Sequence, residues 1–307
     1  MKRWSGETRF LTRRWPELSE EEEKLYDLLV PENRTLAINL DDFSDLYGQE
    51  VVTRDKKLVA EREAEFQRQA EADPESKNLL KRGELFEAII NDQIEQSEWL
   101  GEDASVIVPA RYDDIENGVD SIVEFEIETG RSHLALAVDV TKSTKQLDKK
   151  FDAIKNSIKN GRLSRVKYFR SKDIRGELKE VPKVVVGADE ETMQEVAGLL
   201  LIFKTRQKHR LAEKAEEFWI TLEALKNHRL QLQITEEIMT QLKAFAKYAR
   251  KLGKDQIAAK YESALNIMSR VAKEKENEAG DQYAANRLKI NEDSVYKMII
   301  EKAECFA

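Results

Sequence analysis

Residues 118–142, GVDSIVEFEIETGRSHLALAVDVTK, decide how the chain is read. Their second half, from His133 to Thr141, carries apolar side chains on both alternating faces. Leu134, Leu136, Val138 and Val140 fall on one face, Ala135, Ala137 and Asp139 on the other. A strand apolar on both faces belongs in the middle of a sheet, covered on each side. An aspartate at the end of such a strand is costly without a metal ion, a cation or N–H donors beside it. The first half, Val119–Glu128, is also strand-like, and Thr129-Gly130 signals a tight turn between the two. Positions equidistant from a turn centred there face each other, which sets Asp120 opposite Asp139. The two carboxylates then meet at one end of the pair, within reach of one divalent cation. The backbone carbonyl of Val140 offers a further oxygen, and hard cations such as Mg²⁺ take such oxygens plus water.

Upstream, Leu79, Leu80, Phe86, Ile89, Ile90 and Ile94 recur at helical spacing over about residues 77–96. At 100° per residue Glu87 falls at the edge of this apolar face and Glu84 further round, toward solvent. Both are candidate third ligands, and Glu87 is preferred. A strand over Ser105–Arg111 follows, then Tyr112-Asp113-Asp114, read as a loop in preference to a second metal site, and the turn Glu116-Asn117-Gly118. Downstream, Leu147, Phe151, Ile154 and Ile158 mark a helix over about Lys145–Asn160, ended by Gly161. Arg165–Phe169 and Lys183–Val186 read as strands and Glu190–Phe203 as a helix. The order is α-β-β-β-α-β-β-α.

The flanks differ in texture. Residues 1–75 form an irregular, then helical extension whose charged helix over Lys56–Ala72 breaks at Asp73-Pro74. Residues 206–307 contain no proline and only two glycines, Gly253 and Gly280. Apolar stripes recur through them: Leu211 to Leu225, Ile234 to Leu252, Ile257 to Val271 and Val295 to Ala303. They read as a C-terminal α-helical bundle or hairpin array. The expected domains are therefore 1–75, 76–205 and 206–307, with the last serving a protein partner or homo-oligomer. Phe218-Trp219 reads as helix-packing core, and Trp4 and Trp15 as part of a packed arm.

The middle region resembles the PD-(D/E)XK nuclease superfamily. The residues that carry the resemblance are KRGELFE (81–87) on the helix, GVD (118–120) at the second strand and AVDVTK (137–142) at the third. It covers about residues 77–190 and implies an α/β fold: a restriction-endonuclease-like αβββαβ core with a mixed central sheet. It further implies Mg²⁺, with Mn²⁺ as a substitute, held by Asp120, Asp139 and Glu87 or Glu84. The family places a lysine two residues after the second acid, where this chain has Thr141. Lys142 follows, and Lys150 on the next helix is the other candidate for the catalytic cation. The implied chemistry is phosphodiester hydrolysis by a metal-activated water.

Composition bounds the partners. The net charge is −8, which alone argues against a polyanion. Yet Val140–Lys183 holds fourteen Lys and Arg against five acids, a net of +9 that leaves −17 for the rest. Within it, Lys145, Lys149, Arg162, Arg165, Lys167 and Arg170 form a candidate nucleic-acid track, DNA ahead of RNA. One cysteine, Cys305, excludes an internal disulfide framework. The longest apolar run, Val196–Phe203, is eight residues, too short to span a bilayer. The N-terminus lacks the apolar stretch of a secretory signal. These features lead us to expect a cytoplasmic protein with no membrane partner. Two other readings stay open: a nuclease fold that binds nucleic acid or protein without chemistry, and a helical scaffold.

Overall fold

The computed structural model describes residues 17–128, 130–140, 144–209 and 215–306. It is a mixed α/β structure in which helices enclose a small mixed sheet. The sheet contains β1 (Ala104–Ile107), β2 (Ser121–Ile127), β3 (Gly130–Asp139) and β6 (Lys183–Gly187), in the order β1-β2-β3-β6. β1-β2 and β2-β3 are antiparallel, and β3-β6 is parallel. A parallel pair needs a crossover. Here it is made by α6 (Thr144–Lys159) and a separate two-stranded ribbon, β4 (Ser164–Arg170) and β5 (Arg175–Val181).

The hairpin register corrects the expected pairing. Gly130, at a φ of 132°, opens β3 and pairs with Ile127, so it belongs to the strand and the turn centre lies one residue earlier. Moving the turn centre by one residue moves every partner by two. Ser121 faces Leu136, and Asp120 donates its N–H to the Leu136 carbonyl at 2.9 Å. Asp120 therefore lies level with position 137. A two-residue slip keeps the face, because strand side chains alternate with period two. Asp120 and Asp139 become diagonal rather than direct neighbours, about 7–8 Å apart instead of 5 Å at the Cα atoms.

β3 is buried on both faces, as its sequence requires. Leu134, Leu136 and Val138 join Val123 and Phe125 in the main core, against Phe86, Ile89 and Ile90 of α4 (Pro74–Ser97). Ile122 and Ala135, on the other face, pack on Val166, Phe169 and Val181 of the β4–β5 ribbon. Asp73 caps α4 by accepting the N–H groups of Glu75 and Ser76, and Pro74 sits at the first turn. That pairing both ends the preceding α3 (Gln49–Ala72) and starts α4.

Three further readings change. Residues 111–117 are not a loop but a short helix, α5 (Arg111–Asn117), closed by Gly118 in the left-handed conformation. β5 was not anticipated, because RGELKEV is too charged to read as a strand. Trp219 is 64% exposed rather than core, whereas Phe218 stacks on Phe203 at 5.0 Å. Trp4, Trp15 and Leu211 lie outside the described residues.

The C-terminal helices share the sheet's core and add a small cluster of their own around Leu232, Ile290 and Tyr296. α7 (Glu190–His209) and α8 (Ala215–Lys226) lead to α9 (Arg229–Lys251), α10 (Asp255–Ala279), α11 (Asp281–Ile290) and α12 (Ser294–Glu304). Ile234, Ile238, Leu242, Val295 and Ile299 belong to the same apolar cluster as Val184–Val186 of β6. α9 also bonds the open edge of β6. Gln241 both accepts from the Val185 N–H at 2.8 Å and donates to its carbonyl at 2.6 Å. Gln233 donates to the Gly187 carbonyl and Glu237 accepts its N–H. Among the described residues no helix is long and apolar enough to cross a membrane.

Candidate functional site: an acid and lysine cluster

Three elements bring carboxylates together. α4 supplies Glu87, α5 supplies Asp114, and the residue before β2 is Asp120. The Asp120 carboxylate accepts the Val138 N–H at 2.6 Å, which fixes it against β3. Burial pushes the Glu87 carboxyl well above the usual range, and the charges of Asp120 and Asp114 push the same way. Arg111 and a hydrogen bond from Asn33 at 3.4 Å act against this rise. Burial likewise raises Asp114 to about 7, helped by the Asp120 charge and opposed by Arg111. Carboxyls raised first by burial and then by one another's charge mark acids that lack enough positive charge around them.

Asp139 is partnered separately. Its side chain is 1% exposed, and the Lys150 ammonium lies 3.3 Å from it. The same ammonium donates to the Val138 carbonyl. Lys183, at the start of β6, completes the group. Burial lowers its ammonium below the ordinary lysine range; Asp120 opposes that shift and Lys150 adds to it. Its nitrogen lies 3.1 Å from the Asn117 carbonyl, so it also caps the C-terminus of α5. Two lysines and four carboxylates thus occupy the region where β2, β3 and β6 meet α4 and α5.

The remaining candidates are placed differently. Glu84 does not face solvent: one oxygen accepts from the Tyr26 hydroxyl at 2.5 Å and the other from Arg34 at 2.7 Å. That pairing ties α4 to α1 (Glu20–Leu36) and takes Glu84 out of the acid cluster. Val140 follows Asp139 with its side chain buried in the main core. Lys142 lies outside the described residues. In the expected track, Lys145, Lys149 and Arg162 are exposed. Lys167 serves the fold instead, and Arg165 and Arg170 are exposed in surface ion pairs. Lys167 pairs with Asp55 and sits within 5.5 Å of the Tyr47, Tyr112 and Tyr168 ring centres, so it is an anchor for α3. Arg170 pairs with Asp42 at 2.8 Å and Arg165 with Glu177 at 3.7 Å.

Sequence reasoning missed Lys183, and it preferred a loop to a metal site for the segment that carries Asp114. Asp114 hides in a segment taken as loop, although Gly118 was a readable helix stop. Its neighbour Asp113 accepts the N–H groups of Lys167 and Tyr168, which pins α5 on β4 and leaves Asp114 to turn inward. Lys183 gave no signal, since alternation alone does not say which strand lies beside β3.

The donor set is all oxygen and carries excess negative charge, which suits a hard divalent cation. Among the described residues, however, no three His, Cys, Asp or Glu side chains stand in position to hold an ion. A cation here would be held by one or two carboxylates and by water, as Mg²⁺ commonly is. No family model matches the chain, and neither a curated protein nor a solved structure matches it.

Proposed function

We propose that this chain is a metal-dependent nuclease of the PD-(D/E)XK kind, acting on phosphodiester bonds of DNA. The observation that carries the reading is the gathering of Glu87, Asp114 and Asp120 beside the Asp139–Lys150 pair and Lys183. The chain order α4, β1, β2, β3, α6 and β6, with α5 inserted after β1, the β4–β5 ribbon inserted after α6, and β6 parallel to β3, supports it. Asp120 and Glu87, with Asp114 beside them, would hold Mg²⁺ or Mn²⁺. A bound ion there supplies Lewis-acid polarisation of the phosphate and a water of lowered pKa. The chain's own groups do the positioning. Lys150 and Lys183 place positive charge where the phosphoryl oxygens gain negative charge during attack. Water oxygen bonds to phosphorus, the ester P–O bond breaks, and the departing oxygen takes the proton that the attacking water gives up. The Val138 N–H bond holds Asp120 in orientation throughout.

Purified protein should cleave plasmid or short DNA in Mg²⁺ or Mn²⁺, and Asp120→Ala and Asp139→Ala should abolish the cleavage. Cleavage indifferent to both changes would sink the assignment. A second reading rests on Thr141 and on Lys150, whose ammonium is already engaged by Asp139 and Val138: the same fold used for binding alone. Salt-sensitive DNA binding without cleavage in either metal would select it.

A further inference from the structure

A trench of about 1160 Å³ leads from the surface to the acid cluster, with Glu87 and Asp114 on its floor. α1 and α4 form one wall and α3 the other. α3 and α4 are joined by the single residue Asp73, so the trench lies inside a closed corner of two helices. From this geometry we infer that the trench admits a single nucleic-acid strand and excludes a duplex. The inference rests on the reading of the cluster as a nucleic-acid site and names its substrate class.

Size argues first. α3 and α4 pack on each other from the corner at Asp73, and packed helices lie about 8–10 Å apart, too close for a double helix to pass between them. The trench still exceeds the roughly 300–1,000 Å³ typical of a small-molecule pocket. The lining argues second. Phe66 of α3 and Leu80 of α4 are 37% and 39% exposed on facing walls, and Tyr26 lines the trench with them. An exposed ring such as Phe66 gives a base a stacking surface that does not depend on sequence. Lys77 argues third. It lines the trench wall, whereas Arg34, Lys81 and Arg111 are paired with Glu84, Glu23 and the Glu63 and Asp114 carboxylates. A strand with a base against Phe66 and its backbone at Lys77 would bring one phosphate to the floor, where a cation held by Glu87 would offset the acids.

The test uses the full chain with a fluorescein-labelled single strand and the same sequence as a blunt duplex. Anisotropy is read in chelator and cleavage in Mn²⁺. Phe66→Ala and Lys77→Glu alter exposed trench side chains, and Asp120→Ala alters the site. The single strand should bind at least tenfold tighter than the duplex. Phe66→Ala should weaken it about fivefold or more, the low end of stacking on an aromatic ring. Lys77→Glu should weaken it further at low salt than at high salt. Equal affinity for duplex, or single-strand binding unmoved by both trench variants, overturns the inference; Asp120-dependent cleavage of the duplex would then leave the nuclease reading standing. Trench-dependent single-strand binding with no cleavage supports the inference and removes the nuclease reading instead. No binding of either probe overturns it.

Discussion

Glu237→Gln should stabilise this protein progressively as pH rises. Glu237 is fully buried at the α9–β6 junction, where one carboxyl oxygen accepts the Gly187 N–H at 2.9 Å. Burial holds the carboxyl well above the usual range; Asp293 adds to this, and the Gly187 and Gln233 bonds oppose it. The folded state therefore keeps a proton that the unfolded chain releases near the ordinary glutamate value. For an acid shifted upward, the stabilising contribution is present below the unfolded value. It declines as pH rises toward the folded one, by about 1.4 kcal/mol per pH unit. Glutamine keeps an acceptor for Gly187 and has no such slope. The difference between variant and wild type should therefore grow by about 1.4 kcal/mol between pH 5 and 6. In a chain of this size that is a shift of about 2–3 °C in Tm. Differential scanning calorimetry of both proteins across that range reads it, with all other titrations cancelling in the difference. Tm curves that stay parallel with pH would refute the reasoning, whatever their offset.

Other perturbations follow from the same coordinates. Arg82 and Glu22 form a buried ion pair at 3.0 Å between α4 and α1. Arg82→Met should cost about 3–5 kcal/mol in urea unfolding by stranding Glu22, and Glu22→Gln added to it should recover part of the loss. Gly187→Ala would place a Cβ 2.6 Å from the Asp139 carbonyl oxygen and 2.6 Å from Val295. A loss of about 1–3 kcal/mol is expected in the same assay. Glu87→Gln with Asp114→Asn should raise Tm in chelator, by relieving repulsion, and should erase any rise that Mn²⁺ gives the wild type. A Mn²⁺ shift that survives the double change would place the ion elsewhere.

How much of this was legible in the sequence depends on the range of the interaction. The two-faced burial of β3 and the apolar faces of α4 and α6 are local patterns, and they appear where the periodicity puts them. The pairing of Asp120 failed by two residues because Gly130 was taken as a loop residue. Glycine serves equally as a turn residue or, with a φ of 132°, as the first residue of a strand. The slip kept the face, so Asp120 remained in the site by parity. Glu87 fell at the edge of its apolar face and joins the acids; Glu84 was misplaced because its partners, Tyr26 and Arg34, come from α1 about 50 residues earlier in sequence. Lys183 entered through the parallel β3–β6 pairing, which no local pattern encodes. The basic stretch was correctly located as a run of charge, yet Lys167 spends its charge on Asp55, on a helix more than a hundred residues earlier.

The sheet is finished at both margins by side chains rather than by strands. Gln233, Glu237 and Gln241 occupy the outer side of β6, and Glu95 of α4 accepts the Val106 N–H of β1 at 2.6 Å. A strand margin left open is a template on which another polypeptide can be copied, hydrogen bond by hydrogen bond. On β6 the positions that such a copy would need are already taken by α9, rooted in the core. Strand-by-strand growth at that margin, whether into a fibre, a swapped dimer or a peptide complex, would first require α9 to leave β6.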